Sequence, residues 1–96
     1  MTLQELRDRN RDEILRAAAH RGARNVRVFG SVARGDNDED SDIDFLVEME
    51  PGRTLFDLSG LLLDLESLLH VHVDVVTERG LRPKVRDRVL SEALPL

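Results

Sequence analysis

The sequence contains no cysteine, tryptophan or tyrosine, and its aromatic side chains are three phenylalanines. The missing cysteine excludes disulfides, thiolate metal ligands and a cysteine nucleophile, and it suits a reducing, cytoplasmic setting. With so few aromatic rings, a platform for stacking bases is not expected. Long apolar runs are also missing. Leu61-Leu62-Leu63 is as long as uninterrupted apolar sequence gets, far short of a membrane span. The first residues, Met-Thr-Leu-Gln-Glu, lack the basic-then-apolar order of a signal peptide. Positive charge is in deficit as well: 14 Lys and Arg against 19 Asp and Glu give a net charge of −5. An acidic chain repels phosphate backbones, so direct nucleic-acid binding is disfavoured. A bound metal ion can reverse that sign locally, so a nucleotide site is still allowed.

The 96 residues suit a single domain, residues 1–96, with one modest core and no second substrate-binding lobe. Thr2 and Glu5 form a capping-box pattern that opens a helix reaching about His20. Its apolar stripe (Leu3, Leu6, Ile14, Ala17, Ala18) is thin, which places this helix on the outside. Asn25 to Phe29 alternates in the manner of a strand. A short helical turn follows from Ser31 to Arg34, closed by Gly35, and then a polar acidic loop to Ser41. Asp42 to Glu48 is the second strand. Thr54 caps a strong helix to about Leu69, with Leu55, Leu58, Leu62, Leu65 and Leu69 on one face. Val71 to Val76 is the third strand, and Pro83 opens the last helix. The order predicts a two-layer α/β sandwich, with helices covering one face of a small three-stranded sheet.

The chemistry is expected on the other face. Asp42 and Asp44 are two apart on a strand, so both carboxylates leave the same side. Asp74 has the same facing on the third strand. Hard oxygen donors in a fixed frame, with positions left for water and phosphate oxygens, are what Mg²⁺ requires. Gly30-Ser31 sits between a strand and a helix start. Glycine allows close phosphate approach, the helix start offers free N–H groups, and the Ser31 hydroxyl adds a donor. Phosphate and metal sites side by side make a triphosphate site.

The plainer readings differ from residue to residue. Asp36, Asp38, Glu39 and Asp40 fit a solvated acidic loop. Asp42 and Asp44 interrupt an apolar strand and repel each other, which solvation alone does not explain. Arg34 suits either a phosphate or the neighbouring acidic loop. His72 shares a face with Asp74 and is a candidate supporting residue, whereas His20 and His70 read as structural or solvated. Two motifs fail. Gly30-x-x-x-x-Gly35 begins like a P-loop, but Asp36 stands where lysine is required. Asp36-x-Asp38-x-Asp40 begins like an EF-hand loop, but Ser41 and Val47 replace the turn glycine and the bidentate glutamate.

Phe29-Gly30-Ser31, ten residues, then Asp42-Ile43-Asp44-Phe45 resembles the pattern of the DNA polymerase β-like nucleotidyltransferase superfamily, with Asp74 in Val73-Asp74-Val75-Val76 matching its third carboxylate. The fuller string Gly30-Ser31-Val32-Ala33-Arg34-Gly35 resembles the minimal nucleotidyltransferases of prokaryotes, and within them the MntA-type antitoxins of HEPN/MNT toxin–antitoxin systems. The resemblance implies an α+β nucleotidyltransferase fold with a small mixed sheet. It also implies a Mg²⁺-dependent enzyme that transfers AMP from ATP to a tyrosine hydroxyl of a HEPN-domain RNase toxin. Asp42, Asp44 and Asp74 would then be metal-binding and catalytic, with Gly30 and Ser31, and Arg34 beside them, holding the triphosphate. The alternative is an antitoxin that neutralises its toxin by contact alone. A transferase acting on a small molecule would need an extra lobe for its substrate.

Overall fold

A computed structural model describes residues 1–96. Four strands form one mixed sheet in the order β3-β2-β1-β4: β1 (Ala23–Phe29), β2 (Ile43–Met49), β3 (Val73–Thr77) and β4 (Leu94–Pro95). β1 runs antiparallel to β2 and to β4, and β2 runs parallel to β3. A parallel pair needs a long crossover, and α4 (Leu55–Leu69) provides it. The expected three-stranded sheet is thus corrected to four strands. The apolar tail is the reason: Leu94 pairs with Val28, Pro95 pairs with Arg27, the Leu96 N–H donates to the Val26 carbonyl, and the Leu96 side chain is buried.

The N-terminal helical segment runs as α1 (Leu3–Glu5), a π turn (Leu6–Asn10) and α2 (Arg11–His20). Thr2 caps it by accepting from the Glu5 N–H at 3.1 Å. The helix lies on the outside as expected, with most of α2 exposed, while its stripe residues Leu6 and Ile14 are fully buried and Ala18 nearly so. A thin stripe suffices because these few side chains all enter the core.

Val28, Ile43, Phe45, Val47, Val73 and Val75 come from one sheet face and form the core with Leu61, Leu65 and Leu69 of α4. The face of α4 is the expected one from Leu58 onward, with Leu65 and Leu69 buried and Leu58 and Leu62 packed on the core, and departs from it only in the first turn. Leu61 is buried in place of Leu55, which is 79% exposed at the helix's first turn. Thr54 closes a full capping box with Asp57, so the helix starts where the sequence places it.

Helix α5 (Pro83–Glu92) begins on Pro83 as expected and lies against β1 and α3 (Gly30–Arg34). The second sheet face is therefore not bare. Leu46 points to that face by alternation, yet it is fully buried and stands with buried Val89 of α5 outside the main core cluster. The acidic side of the sheet is a walled shelf. No helix is long and apolar enough to cross a membrane.

Candidate functional site

Strand register decides which carboxylates meet. Asp44 is the in-register partner of Asp74 across the parallel β2–β3 seam, and of Phe29 across the antiparallel β1–β2 seam. In-register partners point to the same face about 5 Å apart, so Asp44 and Asp74 stand side by side. Asp42 lies one residue before β2, is exposed, and enters from the loop end. The loop that delivers it is tied to itself. Asp38 accepts from the Asp40 N–H and the Ser41 hydroxyl, and its own N–H donates to Ser41 Oγ at 3.0 Å. The acidic run before Asp42 is therefore a solvated turn, as its sequence suggested.

Asp44 is half-buried, and its carboxyl is pushed up from 3.8 to about 6. Burial is the main cause, followed by the negative charges of Asp74 and Asp42, with Arg34 acting weakly in the opposite direction. Desolvation and like charges both penalise the ionised form. No group of three or more carboxylate or imidazole side chains stands ready-arranged as a cage for a metal ion. This does not conflict with Mg²⁺, which is usually held by one or two carboxylates together with water and substrate phosphates. A crowded pair of hard oxygen donors, with a third at the shelf edge, fits that mode of binding.

Gly30 begins α3 with φ +71°, a left-handed conformation, and a Cβ placed there would run into the Asp44 carboxylate. The glycine is thus required twice, by its backbone angle and by the carboxylate packed against it. Gly35 closes α3 at φ +79°, its N–H bonded to the Ser31 and Val32 carbonyls. The Phe29-Gly30-Ser31 turn therefore lies directly beside Asp44.

Arg34 is engaged within the chain. Its Nε donates to Asp36 at 3.1 Å, and its Nη1 donates to both Glu92 oxygens at 3.1 and 3.2 Å. Its pKa is pushed further up, chiefly by the Asp36 hydrogen bond. Glu92, the last residue of α5, also accepts from the Gly30 N–H at 3.2 Å. Nothing in the sequence marked Glu92, because only the tertiary fold brings the end of α5 against the start of α3. His72 does not join the site: it is 89% exposed and lies 3.2 Å from Glu66. A shallow hollow of about 520 Å³ lies between the N-terminal segment and α3. Of the candidate residues it includes only Arg34, so it adjoins the carboxylates rather than holding them.

Clustered aspartates on a mixed sheet, beside a strand-glycine-helix turn, are an arrangement suited to handling phosphates. The model of the nucleotidyltransferase domain family matches residues 9–96. A Methanocaldococcus jannaschii protein, provisionally named a protein adenylyltransferase, is 44% identical over 73 residues, which cover 76% of this chain and 78% of that one. The protein adenylyltransferase MntA of Thermococcus cleftensis is 40% identical over 73 residues, covering 76% and 74%. A solved structure, provisionally described as a minimal nucleotidyltransferase, superposes with a TM-score of 0.86 at 57% identity, covering 100% of this chain and 97% of its own. A chain of a solved toxin–antitoxin structure with AMP-PNP gives 0.77 at 23% identity over 90% of this chain and 71% of that one. At that identity it supports the fold alone. The chain belongs to the nucleotidyltransferase domain family, and it is a nucleotidyltransferase.

Proposed function

We propose that this protein transfers AMP from ATP to a hydroxyl of a partner protein, namely a tyrosine of a HEPN-domain RNase toxin, and thereby acts as that toxin's antitoxin. The observation that carries this reading is the in-register pair Asp44 and Asp74 beside the Gly30 turn, in a chain similar to protein adenylyltransferases. Asp42 and Asp44 would hold Mg²⁺, with Asp74 completing the set. When bound, the ion offsets triphosphate charge and polarises the α-phosphate. Gly30 leaves room for a phosphate and Ser31 offers a hydroxyl donor. Arg34 adds positive charge at the same edge.

In the transfer, the tyrosine oxygen forms a bond to the α-phosphorus and the bond from that phosphorus to the bridging oxygen breaks. Pyrophosphate leaves, and Asp74 takes the tyrosine proton. Asp74 suits this role because it is the exposed member of the pair, open to a protein substrate, while Asp44 is half-buried. The acceptor hydroxyl then arrives on a partner protein, as the likeness to protein adenylyltransferases supports.

The test is to incubate this protein with its partner, ATP and Mg²⁺ and weigh both chains by mass spectrometry. One or more AMP masses on the partner are expected, and none with Asp42→Ala. If the partner is neutralised without added mass, and equally well by the variant, the alternative of inhibition by contact takes the place of this reading.

A further inference from the structure

We infer that Glu92 is a built-in competitor for the triphosphate: its carboxylate holds the Gly30 N–H and the Arg34 guanidinium, and nucleotide must displace it to bind. The inference rests on the reading that Gly30 and Arg34 receive the triphosphate. A carboxylate presents two oxygens and one negative charge, so it satisfies the same donors as a phosphate edge. Glu92 uses both oxygens in this way. Oε2 accepts from Gly30 at 3.2 Å, and both oxygens accept from Arg34 Nη1.

The surrounding structure suits displacement without unfolding. Glu92 sits at the end of α5, where the backbone is fixed on either side. The Ala93 N–H bonds to the Val89 carbonyl at 2.9 Å and the Leu96 N–H to the Val26 carbonyl at 3.1 Å, while the Val89 and Leu96 side chains are buried. Only the Glu92 side chain has to rotate. Arg34 meanwhile keeps Asp36 as a partner, so its charge stays at the site while one face of the guanidinium is released. With the Asp44 carboxylate against the Gly30 Cα and Glu92 on the Gly30 N–H, an anion entering here meets negative charge twice. A metal-bound triphosphate brings its own cation against the first and must expel the second. The pair thus discriminates against bare phosphate anions.

The experiment is calorimetry of ATP binding in Mg²⁺ for the full chain and for Glu92→Gln, Glu92→Ala and Arg34→Ala, with thermal melts confirming that each is folded. Glu92→Gln keeps the shape and removes the charge, so it serves if Glu92→Ala loses the α5 docking. The expected result is tighter ATP binding by Glu92→Gln, about tenfold (~1.4 kcal/mol), and weaker binding by Arg34→Ala. Unchanged or weaker binding by Glu92→Gln overturns the inference and makes Glu92 a brace that orients Arg34. The Arg34 variant separates the two failures. If it binds as wild type does and Glu92→Gln shows no gain, the placement of the triphosphate at this turn falls, and the inference falls with it.

Discussion

Asp44 and Asp74 face one another in register across the parallel seam of β2 and β3, so the fold itself forces two carboxylates together on a half-buried shelf. That arrangement costs stability whenever Asp44 is ionised. Its folded pKa of about 6 lies above its ordinary 3.8, so the folded state holds the proton more tightly than the unfolded chain does. The penalty is absent below pH 4, grows as pH rises through 6, and is complete above that. Because Asp44 is only partly buried, solvent screening reduces it to about 1 kcal/mol. In the metal-free protein, Asp44→Asn should therefore raise the melting temperature at pH 7.5 and leave it unchanged at pH 4. Melts at the two pH values check this, and an equal gain at both would mean that the charge is not the cause.

Removing either carboxylate proposed to hold Mg²⁺ should cripple transfer while sparing the fold. Asp42 is exposed and outside the strand, and Asp44 faces away from the main core cluster, so neither holds the core. Asp42→Ala and Asp44→Ala are each expected to lower nucleotidyl transfer by about 10³-fold, the scale of losing several kcal/mol of charge stabilisation. Circular dichroism should be unchanged. Wild-type transfer by both variants would remove the aspartates from the reaction.

Gly30 has no tolerated replacement. Its φ of +71° and the Asp44 carboxylate against its Cα both oppose a side chain. Gly30→Ala should cost at least ~1–2 kcal/mol from the left-handed backbone alone, and more from displacing Asp44. Chemical denaturation measures the stability loss, and calorimetry should find ATP binding lost. An alanine variant of native stability that still binds ATP would contradict the close packing of turn and carboxylate.

The parts of the site legible in the sequence are those set by local rules. Alternation put Asp44 and Asp74 on one face, as the register has them, and a glycine marked the turn between β1 and α3. Thr54 and Pro83 fixed two helix starts within their own first turns. Helix facing was harder. The leucines of α4 surround most of its circumference, so periodicity alone did not choose Leu61 over Leu55, and the choice depends on where the helix sits over the sheet. Glu92 was invisible, since its meaning comes from Gly30, which only the completed fold brings near. The fourth strand was not legible either, because two residues of strand are too short to show alternation. Its pairing with β1 is a long-range event.

That tail gives the last prediction. Leu96 is 5% exposed and belongs to the main core, and β4 holds the free edge of β1. The Arg7 guanidinium donates to the Pro95 carbonyl at 2.6 Å, tying the tail to the N-terminal helical segment as well. Removing the Leu96 side chain leaves a cavity beneath β1, and a buried leucine cut back to alanine costs about 2–4 kcal/mol. A side chain next to the two-residue edge strand β4 relaxes more easily than a central one, so Leu96→Ala should fall near the lower figure. Deleting residues 94–96 should cost more, because it also strips β1 of its edge pairing and removes the anchor that fixes Glu92 beside Gly30. Urea denaturation of both variants provides the measurement. The truncation should be the less stable of the two, with Leu96→Ala between it and wild type. A truncated chain as stable as wild type would show that the tail only rests on the sheet, and that the core closes without its fourth strand.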